Sequence, residues 1–297
     1  MTSGEQFEPF GEAMLAEVAP VALGWSRELC RHVNPSGHSC AAYHGIWQYL
    51  RLLGINTALF ADAAFYRDAM RPAIRRGARR VLVSGCADYA MAAVVLWIFS
   101  GEGMRPEITV LDVCETPLRL SQWYARRNGA DVEIAVGDIL DYRPATRFDI
   151  ICTNAFLGFF SAGQRPALAA RWYDLLAPGG TLAIVNRLRA DAPEIERFSA
   201  AQARDFADRV RREAAARQDR LGSAIRPDDL AVLADAYIAQ NVVHALRSEA
   251  DLTAMMTGAG FAIDMLRSRT VNDPNRLRGP TMTGGATYLQ VAASRRK

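Results

Sequence analysis

Near residue 80 the hydrophobic period of this chain changes, and that change restricts the fold more than any other feature. Before it, apolar residues recur at helical spacing over 8–33, Ala41–Leu53 and Thr57–Arg76, with a break at Val33-Asn34-Pro35-Ser36-Gly37 and a stop at Gly77. After it, short β-branched runs at Arg80–Ser84, Ile108–Val113, Val132–Val136, Asp149–Thr153 and Thr181–Val185 alternate with helical stretches at Tyr89–Phe99, Pro117–Asn128 and Pro166–Leu176. Such alternation requires right-handed crossovers and builds a parallel sheet with helices on both faces. Helical sequence then interrupts the rhythm over Pro193–Ala216 and Pro227–Leu246, before a helix at Asp251–Ala259 and strands at Phe261–Arg267 and Thr287–Ala293. A loop, not a helix, joins those last two strands, so they can pair antiparallel. The expected fold is α/β, a doubly wound, seven-stranded, mostly parallel sheet with an antiparallel last strand. Residues 1–77 would form a helical lid and 78–297 the sheet domain, with a helical cap inserted at about 190–250.

Composition narrows the partners. With 35 basic and 32 acidic residues the net charge is +3, and half of the chain is hydrophobic. That balance suits a globular core and argues against a protein that coats nucleic acid. The longest apolar run, Tyr89–Phe99, falls short of the ~20 residues of a membrane span, and the N-terminus lacks a signal-peptide layout. The sequence is therefore read as cytoplasmic, with neither membrane nor nucleic acid as partner. Five irregularly spaced cysteines, Cys30, Cys40, Cys86, Cys114 and Cys152, argue against a disulfide framework. Cys86, Cys114 and Cys152 fall at or near strand ends, where small side chains suit a tight crevice.

Ligands of open parallel sheets bind beyond the carboxyl ends of the strands. The first strand ends in Ser84-Gly85-Cys86-Ala87-Asp88, the second in Asp112-Val113, the third in Gly137-Asp138-Ile139 and the fourth in Thr153-Asn154-Ala155. Gly85 permits a tight turn against a ligand, and Asp112, 27 residues later, is placed to accept from two ribose hydroxyls. Asp138 can accept from the exocyclic amine of adenine while Ile139 packs on the ring. Taken singly, Asp112, Asp138 and Asp88 also read as caps of the following turn or helix, and Asn154 as either a turn residue or a substrate contact.

In the order and spacing of these residues, the chain over 78–297 resembles the class I S-adenosylmethionine-dependent methyltransferases, a Rossmann-like fold. The glycine-rich first loop of that family corresponds to Val83-Ser84-Gly85-Cys86-Ala87-Asp88-Tyr89, its ribose acid to Asp112 and its adenine acid to Asp138. Its turn before the fifth strand corresponds to Leu176-Ala177-Pro178-Gly179-Gly180. The loop departs from the family in keeping only its first glycine, with Ala87, Tyr89 and Val83 at other motif positions. The resemblance implies S-adenosylmethionine as cofactor, with Ser84, Gly85, Cys86, Asp112, Val113, Gly137, Asp138, Ile139 and Asn154 around it.

The N-terminal helices of small-molecule members cover the cofactor, which directs attention to Tyr43-His44-Gly45-Ile46-Trp47-Gln48-Tyr49-Leu50-Arg51. Arg51 is the candidate for the methionine carboxylate, and Tyr43 or Trp47 for the sulfonium. Methyl transfer is an in-line displacement in which alignment does most of the work and a base adds to it. His244 and His38 are the candidate bases and Asn154 a candidate substrate contact. Tyr237, Asn241 and His244 would make a polar stripe on one helix, His32 is a rival base, and Arg267, Arg269, Arg276 and Arg278 are candidate recognisers of an acidic acceptor. A cap built from two helical segments implies an enclosed small-molecule acceptor, methylated on oxygen or nitrogen, as in secondary metabolism. No metal is assigned to that reading. The alternative is a non-catalytic metal- or haem-binding sensor that uses Cys30, His32, His38, Cys40 and His44.

Overall fold

Strands β1 (Arg80–Ser84), β2 (Glu107–Asp112), β3 (Val132–Val136), β4 (Phe148–Asn154) and β5 (Leu176–Leu188) lie parallel in a computed structural model of the chain. The structure describes residues 11–31, 33, 39–56, 59–221, 225–271 and 286–296. Two short strands follow, β6 (Ile195–Arg197) and β7 (Val242–His244), and then two long ones, β8 (Phe261–Val271) and β9 (Ala286–Arg295). The main sheet has the order β3-β2-β1-β4-β5-β9-β8, in which β9 runs antiparallel to both neighbours. This is the doubly wound seven-stranded sheet expected from the alternation of periods. Reversal of strand order between β1 and β4 opens the crevice where such sheets bind ligands.

The helices are α1 (Glu12–Leu29), α2 (Ala41–Leu52), α3 (Ala63–Arg75), α4 (Ala90–Gly101), α5 (Glu115–Arg127), α6 (Arg165–Leu175), α7 (Ala200–Ala216), α8 (Gln218–Leu221), α9 (Pro227–Gln240) and α10 (Glu249–Gly258). Helix α4 is apolar around most of its circumference because it is enclosed, packing with α3 and strands β1, β2 and β4 into one core. On the opposite face of the sheet α6 and α10 cover Leu82, Leu111, Ile151 and Ile184. A third apolar cluster unites the lid with the insert, since α1 and α2 pack on α7 and α9. Helices α1 and α2 approach closely at Gly45, where a β-carbon would stand 2.8 Å from Ser26 Oγ.

The two helices expected in the insert are shorter than their periodicity suggests, one starting at Ala200 and the other stopping at Gln240. Residues 195–197 and 242–244 pair as a two-stranded ribbon, with Ile195 opposite His244. Helix α9 stops at Gln240, Asn241 donates to Tyr237 Oη at 3.1 Å, and His244 lies on a strand. The stripe of Tyr237, Asn241 and His244 on one helix is thereby overturned. A three-residue strand carries no periodic signal of its own, and the ribbon forms because its partner arrives from the other end of the insert.

Candidate active site

Backbone register brings the strand ends together. Asp112 faces Val136 across the β2–β3 ladder, Gly137 N–H donates to Asp112 O at 3.0 Å, and Gly85 N–H donates to Leu111 O at 2.9 Å. The loops after β1, β2 and β3 thus form one rim. Both carboxylate oxygens of Asp112 accept backbone amides at 2.9 Å, Oδ2 from Cys86 and Oδ1 from Cys114. Burial pushes its pKa up to about 6, while His44 and the two amides pull the other way. Each oxygen retains a lone pair for a further donor. Asp138 Oδ1 caps its own turn by accepting from Leu140 N–H at 2.9 Å, and the side chain is exposed. Val113 is exposed beside Asp112, and Ile139 is buried beneath Asp138.

The first loop turns at Gly85, whose φ of +72° favours glycine. The face that Gly85 leaves open is covered by Phe156, since a β-carbon there would meet the ring at 2.3 Å. Ser84 is buried and its hydroxyl accepts from Trp172 Nε1 at 3.0 Å. Burial raises the Cys86 thiol well above its ordinary range, which makes it a neutral small side chain. At the end of β4, Tyr66 Oη donates to Thr153 O at 2.7 Å and lies 3.4 Å from Asn154 Oδ1. Ala155 follows with φ 54°, the one non-glycine residue of positive φ among the described residues. Phe156 was not singled out by sequence; its signal is that it follows the strand-end pair Asn154-Ala155.

Helix α2 lies on the first loop. His44 Nδ1 donates to Ala87 O at 3.3 Å, Gln48 Nε2 donates to Asp88 Oδ2 at 2.6 Å, and Arg51 forms a buried ion pair with the same oxygen. Asp88 Oδ1 accepts from Ala90 N–H at 2.8 Å, which fixes the entry into α4. The guanidinium expected to grip a free carboxylate is therefore engaged by an internal one, and Arg51 anchors the loop. Above it, Tyr43, Trp47 and Tyr237 form a ring cluster with centroids 5.0–6.4 Å apart, joined by Phe206 at 6.3 Å from Tyr237. Trp47 Nε1 and His244 Nδ1 are buried without a hydrogen-bond partner. His32, His38, Arg276 and Arg278 lie outside the described residues. Arg269 pairs with Asp62 through two hydrogen bonds of 2.8–2.9 Å, so its guanidinium is engaged, whereas Arg267 is exposed and lies 3.7 Å from Asp68.

Residues 90–180, which run from α4 through the turn that opens the core of β5, match the family model of a methyltransferase domain. That span contains Asp112, Asp138 and Asn154. Over that stretch the chain is similar to a methyltransferase domain. No curated protein sequence matches the chain. The fold of the chain is similar to that of the N-methyltransferase NodS from Bradyrhizobium japonicum in complex with S-adenosylhomocysteine, with 16% identity and a TM-score of 0.50 over 86% of this chain and 99% of that one. It is also similar to a structure named for a sarcosine dimethylglycine methyltransferase from Galdieria sulphuraria, with 12% identity and a TM-score of 0.50 over 80% of this chain and 86% of that one. Among the described residues no helix is long and apolar enough to cross a membrane.

Proposed function

We propose that the protein transfers the methyl group of S-adenosylmethionine to an oxygen or nitrogen of a small-molecule acceptor held between the strand ends and the helical lid. The observation that carries this reading is the matched domain with its two acids, Asp112 and Asp138, on adjacent strand ends of one rim. The donor supplies an electrophilic methyl on a sulfonium. Asp112, fixed by two amides, offers its remaining lone pairs to the ribose hydroxyls. Asp138 keeps one oxygen open for the adenine amine, with Val113 and Ile139 beside the ring. Gly85 and Phe156 shape the floor near the methionine portion, and Ser84, Cys86 and Gly137 contribute backbone to the rim.

For the acceptor side, support comes from the ring cluster of Tyr43, Trp47 and Tyr237 and from the unpartnered Trp47 Nε1 and His244 Nδ1. An aromatic wall favours a flat or cationic small molecule over a flat macromolecular surface. Within this reading His244 is the base that takes the acceptor proton, and Asn154 positions the acceptor.

Calorimetric titration with S-adenosylhomocysteine tests the donor site. Saturable binding is expected, and Asp112→Ala should weaken it by roughly 10–100-fold, the loss of hydrogen bonds to a charged acceptor. Absence of binding by the intact protein at millimolar ligand would sink the proposal. Once an acceptor is identified, His244→Ala should lower kcat by roughly 10²–10⁴-fold, and an unchanged kcat would remove the base assignment.

A further inference from the structure

Three cysteines and a histidine that the methyl-transfer reading leaves idle converge beside Asp112. The ligand atoms of Cys30, Cys40, His44 and Cys114 all lie within 4.8 Å of one another. Cys30 terminates α1, Cys40 caps the start of α2, His44 sits in the first turn of α2, and Cys114 caps the start of α5. Two helices of the lid and the ribose-acid loop of the sheet domain therefore meet at one point. We propose that these four side chains hold one zinc ion in a closed Cys3His site that fastens the lid to the sheet domain.

The distances fit such an ion. Cys114 Sγ stands 3.5 Å from both Cys30 Sγ and Cys40 Sγ. A tetrahedron with zinc–sulfur bonds of about 2.3 Å has sulfur–sulfur edges of roughly 3.8 Å, so the thiols need to spread by only a few tenths of an ångström. A disulfide does not describe the cluster, since its sulfurs would be about 2.0 Å apart and any one pair would strand the third thiol. The surrounding contacts also suit a metal. A carbonyl can only accept, so Ala87 O fixes His44 with Nδ1 protonated, which leaves Nε2 with its lone pair as the ligand atom. Thr116 Oγ1 lies 3.2 Å from Cys30 Sγ, where its hydroxyl can donate to a thiolate.

Four protein ligands leave no open position, and this is the signature of a structural ion rather than a catalytic one. On binding, zinc displaces the thiol protons to solvent, with no change of oxidation state. The site's position gives it a consequence for the rim. Cys114 N–H holds Asp112 Oδ1, and His44 holds the carbonyl of Ala87 in the first loop. An ion bound here would set the lid and both loops together. Sequence spacing pointed to part of this cluster. Cys30, Cys40 and His44 belong to it, His32 and His38 lie outside the described residues, and Cys114 joins from 74 residues beyond Cys40.

Metal analysis of the full-length protein, purified without chelator, tests the site independently of any methyl donor or acceptor. About one zinc per chain is expected, released stoichiometrically when a thiol reagent is added in the presence of a chromophoric chelator. Exchange for cobalt(II) should give the strong ligand-field bands of a tetrahedral site and a thiolate-to-cobalt charge-transfer band. Cys114→Ala should lose the zinc, and His44→Cys should retain it, whereas Cys152→Ala, a buried thiol outside the cluster, should be unaffected. The wild-type cobalt spectrum keeps the test decisive should a variant fail to fold. A metal-free protein that gives no tetrahedral cobalt spectrum would overturn the proposal. So would an intact mass two hydrogens short, which reports a disulfide, or the visible spectrum of an iron–sulfur cluster.

Discussion

The strand ends around Asp112 and Asp138 are placed by backbone ladders and apolar burial, whereas the lid helix above them is fastened to the sheet domain through buried polar groups. In the sheet, Leu82, Val83, Leu111 and Ile151 are almost wholly excluded from solvent, and each ladder bond recurs every second residue. Such an arrangement degrades gradually, because one lost methylene leaves its neighbours in register. Helices α1 and α3 also pack on the sheet domain through apolar residues, but the polar fastenings are concentrated instead. Gln48 and Arg51 meet Asp88, Asp62 meets Arg269 and Gln290, and the cysteines meet His44. Each of these groups is satisfied only while its partners stay in place, so the lid should fail abruptly where the sheet yields by degrees.

The sharpest way to break this contrast is Asp88→Ala. The side chains of Arg51 and Asp88 are 5% and 2% exposed, so removal of the carboxylate takes the ion-pair partner from a buried guanidinium. A loss of about 3–5 kcal/mol is expected in denaturant titration, although Arg51 and Asp88 together contribute much less than that relative to an apolar pair. Hydrogen exchange should localise the damage, with α2 amides losing protection while β1 and β4 retain theirs. Uniform loss across lid and sheet would show that the two are one cooperative unit and that the contrast is mistaken.

A smaller effect should come from the far end of the sheet's strand order, at β8 and β9. Asp62, 4% exposed, accepts from Arg269 Nε and Nη2 and from Gln290 Nε2 at 2.8–2.9 Å, which ties the segment before α3 to β8 and β9. Asp62→Ala removes all three acceptor contacts, yet the Arg269 side chain is 26% exposed and can recover water. About 1.5–3 kcal/mol is expected, below the Asp88 value. If the two losses came out in reverse order, burial would not be what sets the strength of these attachments.

How far the sequence could be read follows the same division. Strands β1 to β5 and their helices were legible because parallel strands are apolar runs with their own period, and the topology then dictates that Asp112 and Asp138 share a rim. The lid helices were legible as helices for the same reason. Their fastenings were not, because Arg51 and Asp88 are 37 residues apart, Cys30 and Cys114 84, and Asp62 and Gln290 228. No local pattern marks such pairs, so Arg51 read as free for a ligand and Cys114 as a small crevice residue. The β6–β7 ribbon was missed on the same account, since three-residue strands are specified by their partner rather than by their own sequence.

The smallest expected effect has the opposite sign and concerns the one place where the sheet side stores strain. Ala155 adopts φ 54°, ψ 23°, a conformation that costs a residue with a β-carbon about 1–3 kcal/mol. Its amide donates to Val185 O at 2.7 Å, and the next residues turn so that Phe156 covers Gly85 and Leu157 N–H reaches Asn186 Oδ1 at 3.2 Å. The ladder on one side and Asn186 on the other thus hold the strained turn. Ala155→Gly removes the steric penalty but gives the unfolded chain more freedom, worth roughly 0.5–1 kcal/mol against it. A net gain of up to about 1 kcal/mol is expected, read as a higher denaturation midpoint with an unchanged slope. If the strain serves to aim Asn154 and Phe156 at the crevice, the same variant should bind S-adenosylhomocysteine more weakly while being more stable. A variant that gains stability without loss of binding would assign the turn to the fold alone, and one that loses stability would show that Ala155 is not strained.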